Sequence, residues 1–330
     1  MLLELHLEQI MSDKKIAELE GHYFEEKDFK YIIKEDVDVY RIDSKGQSHL
    51  LLKLRKKVIP PAISKKAFKA LIEEAKKPHT NRGAAAGLLT QRKLPPYVKG
   101  IVTKTKFRGK YIGHDDRIRK DDISNISRSS IIGYYDQADR NRYRKKTKSR
   151  SILKVPCRMT KFTKEYPDKW KDTIPLFKII DKQFKILCPE KHQKQLERAS
   201  KTPEYQIDTT AFSTGTINYN WQTALHRDAG DFEDGFGNLI VLENAKKNKQ
   251  DWTGCYIGFP QYNVAVEVRE GDFLAMDVHQ WHANTPLIPL TSLSSFPPLT
   301  SMKKKKQEEY TRLSVVSYLR KNMIKCVIKL

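Results

Sequence analysis

This chain has no run of about 18 or more apolar residues, so nothing in the sequence reads as a membrane-spanning helix. Its first ten residues, MLLELHLEQI, are apolar only briefly and lack a basic lead, which argues against a signal peptide. Met11 opens the more ordinary MSDKK, so residues 1–10 read as an extension or a misassigned start. Cysteine is scarce. The four present, Cys157, Cys188, Cys255 and Cys326, form no C-x-x-C pair. Neither a zinc cluster nor a disulfide framework is expected, and an intracellular, soluble setting is the default. Residues 81–87, NRGAAAG, lack the G-K-[S/T] ending of a phosphate-cradling loop, so a P-loop nucleotide site is excluded.

Acidic residues are the minority, 40 Asp and Glu against 62 Lys and Arg in 330 residues, for a net charge of +22. The excess is uneven: residues 201–290 carry a net −6, which leaves +28 on the rest. A basic envelope around an acidic segment points to a polyanionic partner, nucleic acid above all, with a lysine-rich solvated surface as the plain alternative. The densest cationic run is RNRYRKKTKSR at 140–150. Its Arg140, Arg142, Arg144, Lys145 and Lys146 are the candidate phosphate contacts, and a merely solvated loop reads equally well.

Strand-like alternation begins at VDVYRID (37–43) and HLLLKLRKKVI (49–59). Pro60 and Pro61 then open a helical pattern with Ile63, Ala67, Phe68, Leu71, Ile72 and Ala75 on one face. Segments 170–178 and 189–200 also read as helical. From residue 211 short strand-like runs dominate, among them GNLIVLE, NVAVEVRE, DFLAMDVH and RLSVVSYL, which suggests an antiparallel sandwich or jelly roll. Residues 289–309, rich in Pro, Ser and Lys, read as a flexible insertion.

Three features in this strand-rich half carry chemistry: His226-Arg227-Asp228, His279-Gln280-Trp281-His282, and Arg312-Leu313-Ser314. An imidazole and a carboxylate two residues apart project to one side of an extended segment. A distant imidazole completes a two-His-one-carboxylate face that leaves iron positions open. His279 and His282 compete for that place. H-x-D alone is weak, because a lone strand histidine is more often structural; the ordered set is the stronger signal. A buried arginine would answer the far carboxylate of a 2-oxo diacid. Asn218 and Asn220 alternate on the strand before H-x-D and so share a face toward the barrel. Asn238 and Asn284 flank the motifs, and Trp281 is expected to pack rather than face the metal.

The stretches TAFSTGTINYNWQTALHRDAGDFEDGFGNLIVLE, GFPQYNVAVEVREGDFLAMDVHQWHANTP and RLSVVSYLR resemble the 2-oxoglutarate/Fe(II) oxygenases of the TET/JBP type. These are oxidases of 5-methylpyrimidines in nucleic acid, with viral, phage, fungal and protist members. The resemblance is clear over 205–325 and looser over 45–200, where RKKVIPPAISKKAF, NRGAAAG and IIGYYD carry it. It implies a mainly β fold with flanking helices around a double-stranded β-helix (jelly-roll, cupin-like) core. That organisation is a flexible lead-in, 1–20, and a single oxygenase domain, 21–330. Within the domain an α+β part, 21–200, precedes a core at about 205–325 that the insertion 289–309 interrupts.

The resemblance favours His282 over His279, making His226, Asp228 and His282 the metal ligands. It gives Arg312 the C5 carboxylate of 2-oxoglutarate, with Ser314 assisting and Asn218 and Asn220 lining the site. Fe(II), 2-oxoglutarate and O2 are the implied cofactors. The implied reaction is hydroxylation of the methyl group of 5-methylcytosine or thymine, with DNA as partner in a nucleus, an infected cell or a virion. The 30 residues from His282 to Arg312 exceed the family's compact spacing and leave Arg320 as a fallback anchor. Rival readings are a prolyl- or lysyl-type protein hydroxylase, a small-molecule oxygenase, and a non-catalytic nucleic-acid-binding or virion protein on the same scaffold.

Overall fold

A computed structural model describes residues 2–43, 45–79, 82–87, 127–136, 157–243, 252–290 and 311–326. The strands are β1 (Leu3–Glu8), β2 (Tyr31–Ile33), β3 (Val37–Ile42), β4 (Ser48–Arg55), β5 (Pro78–His79), β6 (Ser127–Tyr135), β7 (Arg158–Met159), β8 (Thr214–Tyr219), β9 (Gly237–Glu243), β10 (Trp252–Gly254), β11 (Ile257–Phe259), β12 (Val264–Val266), β13 (Phe273–Met276), β14 (Ala283–Asn284), β15 (Leu287–Pro289) and β16 (Arg312–Tyr318). Ten of them form one sheet, in the order β1-β3-β4-β13-β9-β16-β8-β6-β5, with β7 on β6. A second sheet of four runs β14-β11-β12-β2, and β10 pairs with β15.

The core order β8-β16-β9-β13 in one sheet faces β14-β11-β12 in the other. An antiparallel bridge between His226 and His282 extends the second sheet by one more segment. Two sheets whose successive strands cross from one to the other make the double-stranded β-helix. Its N-terminal strands β3 and β4 continue the large sheet through β13, where Leu274 pairs with Leu54 and Ala275 with Lys53.

Period-two alternation explains why both faces of the large sheet are apolar. On β9, Ile240 and Leu242 join the outer cluster, whereas Leu239 and Val241 join the inner one. On β16, Leu313 and Val315 face outward, and Arg312, Ser314, Val316 and Tyr318 alternate with them toward the interior. The outer face is covered by helices Pro61–Ala75 and Pro167–Leu187, which bury Leu71, Leu176, Phe177, Ile180 and Phe184 against it. These helices and Pro189–Ala199 each start on a proline at the first turn, where no amide partner is lost. Truncating Phe177, which has no exposed surface, to Ala would cost about 3–5 kcal/mol.

Residues 1–20 differ from the expected flexible lead-in. Leu3–Glu8 pairs in parallel along the whole of β3, and the helix Asp13–Glu18 buries Ile16 completely. Leu3, Leu5 and Leu7 alternate onto the inner cluster, a pattern that also fits an apolar extension when seen in sequence alone. The cysteines also hold a link that spacing did not suggest. Cys157 and Cys326, 169 residues apart, are disulfide-bonded with their Cα atoms 5.6 Å apart. Of the stretch read as an insertion, 289–309, Pro289 ends the strand Leu287–Pro289 and 291–309 lies outside the described residues. Among the described residues no helix is long and apolar enough to cross a membrane.

Candidate metal centre

His226 and His282 lie opposite each other on the two chain segments that close the small sheet. Each backbone N–H donates to the other residue's carbonyl at 3.0 Å. This two-bond bridge sets the imidazoles on one side, with ring centroids 4.3 Å apart. Asp228, two residues on, is held by its own N–H donating to Val278 O at 3.0 Å. Its carboxylate oxygens stand 3.9 Å from Nε2 of His226 and 3.9 Å from Nε2 of His282. The three donor atoms lie within 4.8 Å of one another, near enough for one ion to reach them all.

The hydrogen bonds behind the rings prepare them for that role. His226 Nδ1 donates to Ala224 O at 2.8 Å, and His282 Nδ1 donates to Gln280 O at 2.9 Å. A carbonyl only accepts, so both protons sit on Nδ1 and both Nε2 lone pairs face Asp228. Burial, and then the neighbouring His226, push the His282 pKa down to about 4. The ring is therefore neutral at physiological pH, the form a metal takes. His279 is turned elsewhere: its Nε2 pairs with Phe232 O at 3.1 Å.

The three residues open into a pocket of about 460 Å3 whose wall includes Asn218, Trp221, Asn284, Ser314 and Tyr318. Asn218 is the centre of a polar ladder across three strands. Its Oδ1 accepts from Ser129 Oγ at 2.5 Å, and its Nδ2 donates to Ser314 Oγ at 3.2 Å. Asn220 does not share that face. It sits one residue beyond β8 in the left-handed region, φ +41°, and its Oδ1 accepts the Arg312 N–H at 2.7 Å. The strand ends before the alternation reaches it. Asn284 accepts from Thr223 Oγ1 at 2.5 Å, and Asn238 donates to Phe236 O at 3.1 Å, a local turn bond. Trp281 packs in a small cluster under the Arg227 guanidinium, 4.4 Å from its ring centre.

Arg312 is only 1% exposed, on the interior side of β16. Among the described residues its Nε and Nη2 are buried with no hydrogen-bond partner, and the guanidinium lies 5.8 Å from the ring centre of Trp252. Buried guanidinium nitrogens without a partner are costly and call for an anion. Arg320, the fallback anchor, is already committed: its Nε donates to Asp136 at 2.8 Å and its guanidinium lies over Tyr135, 4.7 Å from the ring centre. Beside it, Asp231 is buried, and its carboxyl is pushed well above the usual range by that burial and then by Asp228.

Several pocket residues, among them Trp221, Asp231, Tyr318 and Arg82, escaped the sequence reading. Arg82, in the NRGAAAG loop, lines the pocket together with Gly83, Ala84 and Ala85. Burial pushes its pKa down, and Tyr318, Tyr135 and Asp228 are the groups that act against that shift. In sequence NRGAAAG is excluded as a P-loop and counts among the stretches of looser family resemblance; nothing in its spacing showed that the fold would carry it to a metal motif more than a hundred residues later. The cationic run with Arg140, Arg142, Arg144, Lys145 and Lys146 lies outside the described residues.

The profile of the Tet_JBP family, the oxygenase domain of the 2OGFeDO superfamily, matches residues 130–321. Among curated relatives, the bifunctional helicase and thymine dioxygenase JBP2 of Trypanosoma brucei brucei is 29% identical over 233 residues, covering 69% of this chain and 17% of that protein. The thymine dioxygenase JBP1 of Crithidia fasciculata is 28% identical over 215 residues, covering 62% of this chain and 23% of that one. The chain thus spans less than a quarter of the length of either relative. Among solved structures, NgTET1 in complex with 5mC DNA aligns over 94% of this chain and 92% of its own, at 11% identity and a TM-score of 0.42.

Proposed function

Because the chain belongs to the Tet_JBP family of 2OGFeDO oxygenases, we propose that it is an Fe(II)- and 2-oxoglutarate-dependent dioxygenase that hydroxylates the methyl group of a 5-methylpyrimidine, thymine or 5-methylcytosine, in DNA. One juxtaposition supports this most. The donor atoms of His226, Asp228 and His282 gather at the mouth of a barrel whose interior holds Arg312, with its Nε and Nη2 buried and unpartnered among the described residues. Two imidazoles and one carboxylate fit Fe(II), and a buried guanidinium with unpartnered nitrogens fits the far carboxylate of a 2-oxo diacid.

In this reading His226, Asp228 and His282 hold the iron. Iron so held supplies the oxidation of a C–H bond by O2, coupled to decarboxylation of 2-oxoglutarate: methyl, O2 and 2-oxoglutarate give hydroxymethyl, succinate and CO2. The protein's own share is positioning. The carbonyls of Ala224 and Gln280 fix the imidazole tautomers. Arg312 binds and orients the co-substrate by a charge-assisted pair, while Ser314, held by Asn218, adds a polar contact from the same strand face. Arg82 places a second positive charge in the pocket opposite the Asp228 carboxylate. Trp221 and Tyr318 offer aromatic surface to a base, which must leave its stack to reach the site.

The relatives' names specify thymine dioxygenases, which favours a pyrimidine base over a peptide side chain as the target. The test is succinate release by the iron-loaded protein with oligonucleotides that contain thymine or 5-methylcytosine, against matched oligonucleotides without the methyl group and a panel of peptides. Stimulation by the methylated bases alone supports the proposal. Stimulation by peptides alone contradicts it.

A further inference from the structure

A second cavity, about 560 Å3, lies against the metal pocket and shares Arg82, Ile131 and Tyr135 with it as a common wall. Its size is within the range of about 300–1,000 Å3 typical of ligand sites. The large sheet builds it. Strand β5 pairs with the start of β6, His79 opposite Ser127, and β7 pairs with its end, Arg158 opposite Tyr135. Helix Pro61–Ala75 closes one side through Glu74.

The lining is strongly cationic. Among the described residues the lining holds Lys77, Arg82, Arg158 and Lys161 with one carboxylate, Glu74, a net +3 with His79 neutral. Glu74 is spoken for: Lys77 Nζ donates to its Oε2 at 2.6 Å and Ser130 Oγ to its Oε1 at 2.7 Å. Burial, and then the Arg82 charge, hold the His79 pKa down, and among the described residues its buried Nε2 has no hydrogen-bond partner. A ring nitrogen shut away without a partner is costly in an apolar cavity and well placed in one that receives a polar ligand. Lys161 keeps its side chain 77% exposed and stands 3.8 Å from Glu165, too far for a firm pair.

A base that enters the metal pocket is tethered by its sugar to two phosphates. One of them must lie close to the rim of that pocket, and the cation-lined cavity adjoins it across Arg82 and Tyr135. We infer that this cavity is a phosphate subsite, which takes the phosphodiester flanking the nucleotide under oxidation, with Arg158 and Lys161 as its cations and His79 as a hydrogen-bonding partner. The inference rests on the nucleic-acid reading of the metal pocket.

The experiment is a single-linkage scan. Short single-stranded oligonucleotides with one target base carry one neutral methylphosphonate at each linkage in turn. Binding to the wild type and to the double variant Arg158→Gln, Lys161→Gln is read by fluorescence anisotropy. Neutralising one linkage beside the target should weaken wild-type binding about tenfold, the effect of losing a charge-assisted contact. The double variant should bind the all-phosphate strand about tenfold more weakly, and the same methylphosphonate should then cost it little. A scan that is flat in the wild type, or equally deep in both proteins, overturns the subsite even where methylated strands stimulate succinate release. Saturation by inorganic phosphate alone, together with a flat scan, makes it a free-anion site and overturns the inference as well. A wild type that releases no succinate with any oligonucleotide overturns the nucleic-acid reading itself, and this subsite with it.

Discussion

His226 and His282 hold each other through two backbone hydrogen bonds of 3.0 Å, so each candidate ligand fixes the strand that carries the other. The pair of imidazoles is aligned by the sheet before any ion arrives, and Asp228 completes the face from the same segment as His226. Metal affinity should therefore depend on all three side chains, and loss of any one should leave the fold standing.

His226→Ala, Asp228→Ala and His282→Ala should each abolish succinate formation and weaken the binding of Co(II), a spectroscopic stand-in for Fe(II), in titrations. His279→Ala should keep most of both, because its ring is turned to Phe232 O. An inactive His279→Ala beside an active His282→Ala would reverse the assignment.

Arg312 makes an opposite pair of predictions for the empty and the loaded protein. Its Nε and Nη2 are buried without partners among the described residues. Arg312→Met should raise the stability of the ligand-free protein by about 1–3 kcal/mol, the cost of an unsatisfied buried group. The same change should raise the 2-oxoglutarate requirement roughly 10- to 100-fold, since a hydrogen bond to a charged group is worth about 1.5–3 kcal/mol. Co(II) binding should survive. An unchanged 2-oxoglutarate requirement would take Arg312 out of the site and turn attention to Arg82.

The buried histidines set an acid limit on the metal-free protein. The His282 pKa is lowered from 6.5 to about 4, and that of His79 is lowered as well. Between these values the unfolded chain binds a proton that the folded chain refuses, so stability falls as pH drops below about 6.5. For His282 the loss reaches up to about 3 kcal/mol by pH 4, at 1.36 kcal/mol per unit. Urea midpoints measured from pH 7.5 to 4.5 should decline, and His79→Phe should flatten part of the slope. A midpoint that is constant or rises on acidification would contradict the burial of neutral imidazoles.

The sequence made the strands legible wherever burial imposes a period of two, as in GNLIVLE and RLSVVSYL, and it offered the candidate ligands through the local H-x-D, with His282 preferred over His279 on the family resemblance. What escaped it depends on contacts across long separations. Leu3–Glu8 reads as an apolar extension until β3 offers it a parallel partner. Cys157 finds Cys326 only through the folded ends of two distant segments. Asn220 reads as a strand residue until its left-handed φ turns its amide toward Arg312. Arg82 sits in NRGAAAG, a stretch that resembles the family without naming a role for the arginine, and only the packing of its loop brings it to the pocket.

The central claim is oxidation of a pyrimidine methyl group by O2 in a site held by His226, Asp228 and His282. Its most direct test is mass spectrometry of nucleosides digested from an oligonucleotide treated under 18O2 with Fe(II) and 2-oxoglutarate. The account predicts a 5-hydroxymethylpyrimidine carrying the label, labelled succinate in matching amount, and neither product with His282→Ala. Labelled succinate with every base unchanged, or an oxidised base formed equally well by His282→Ala, would contradict it.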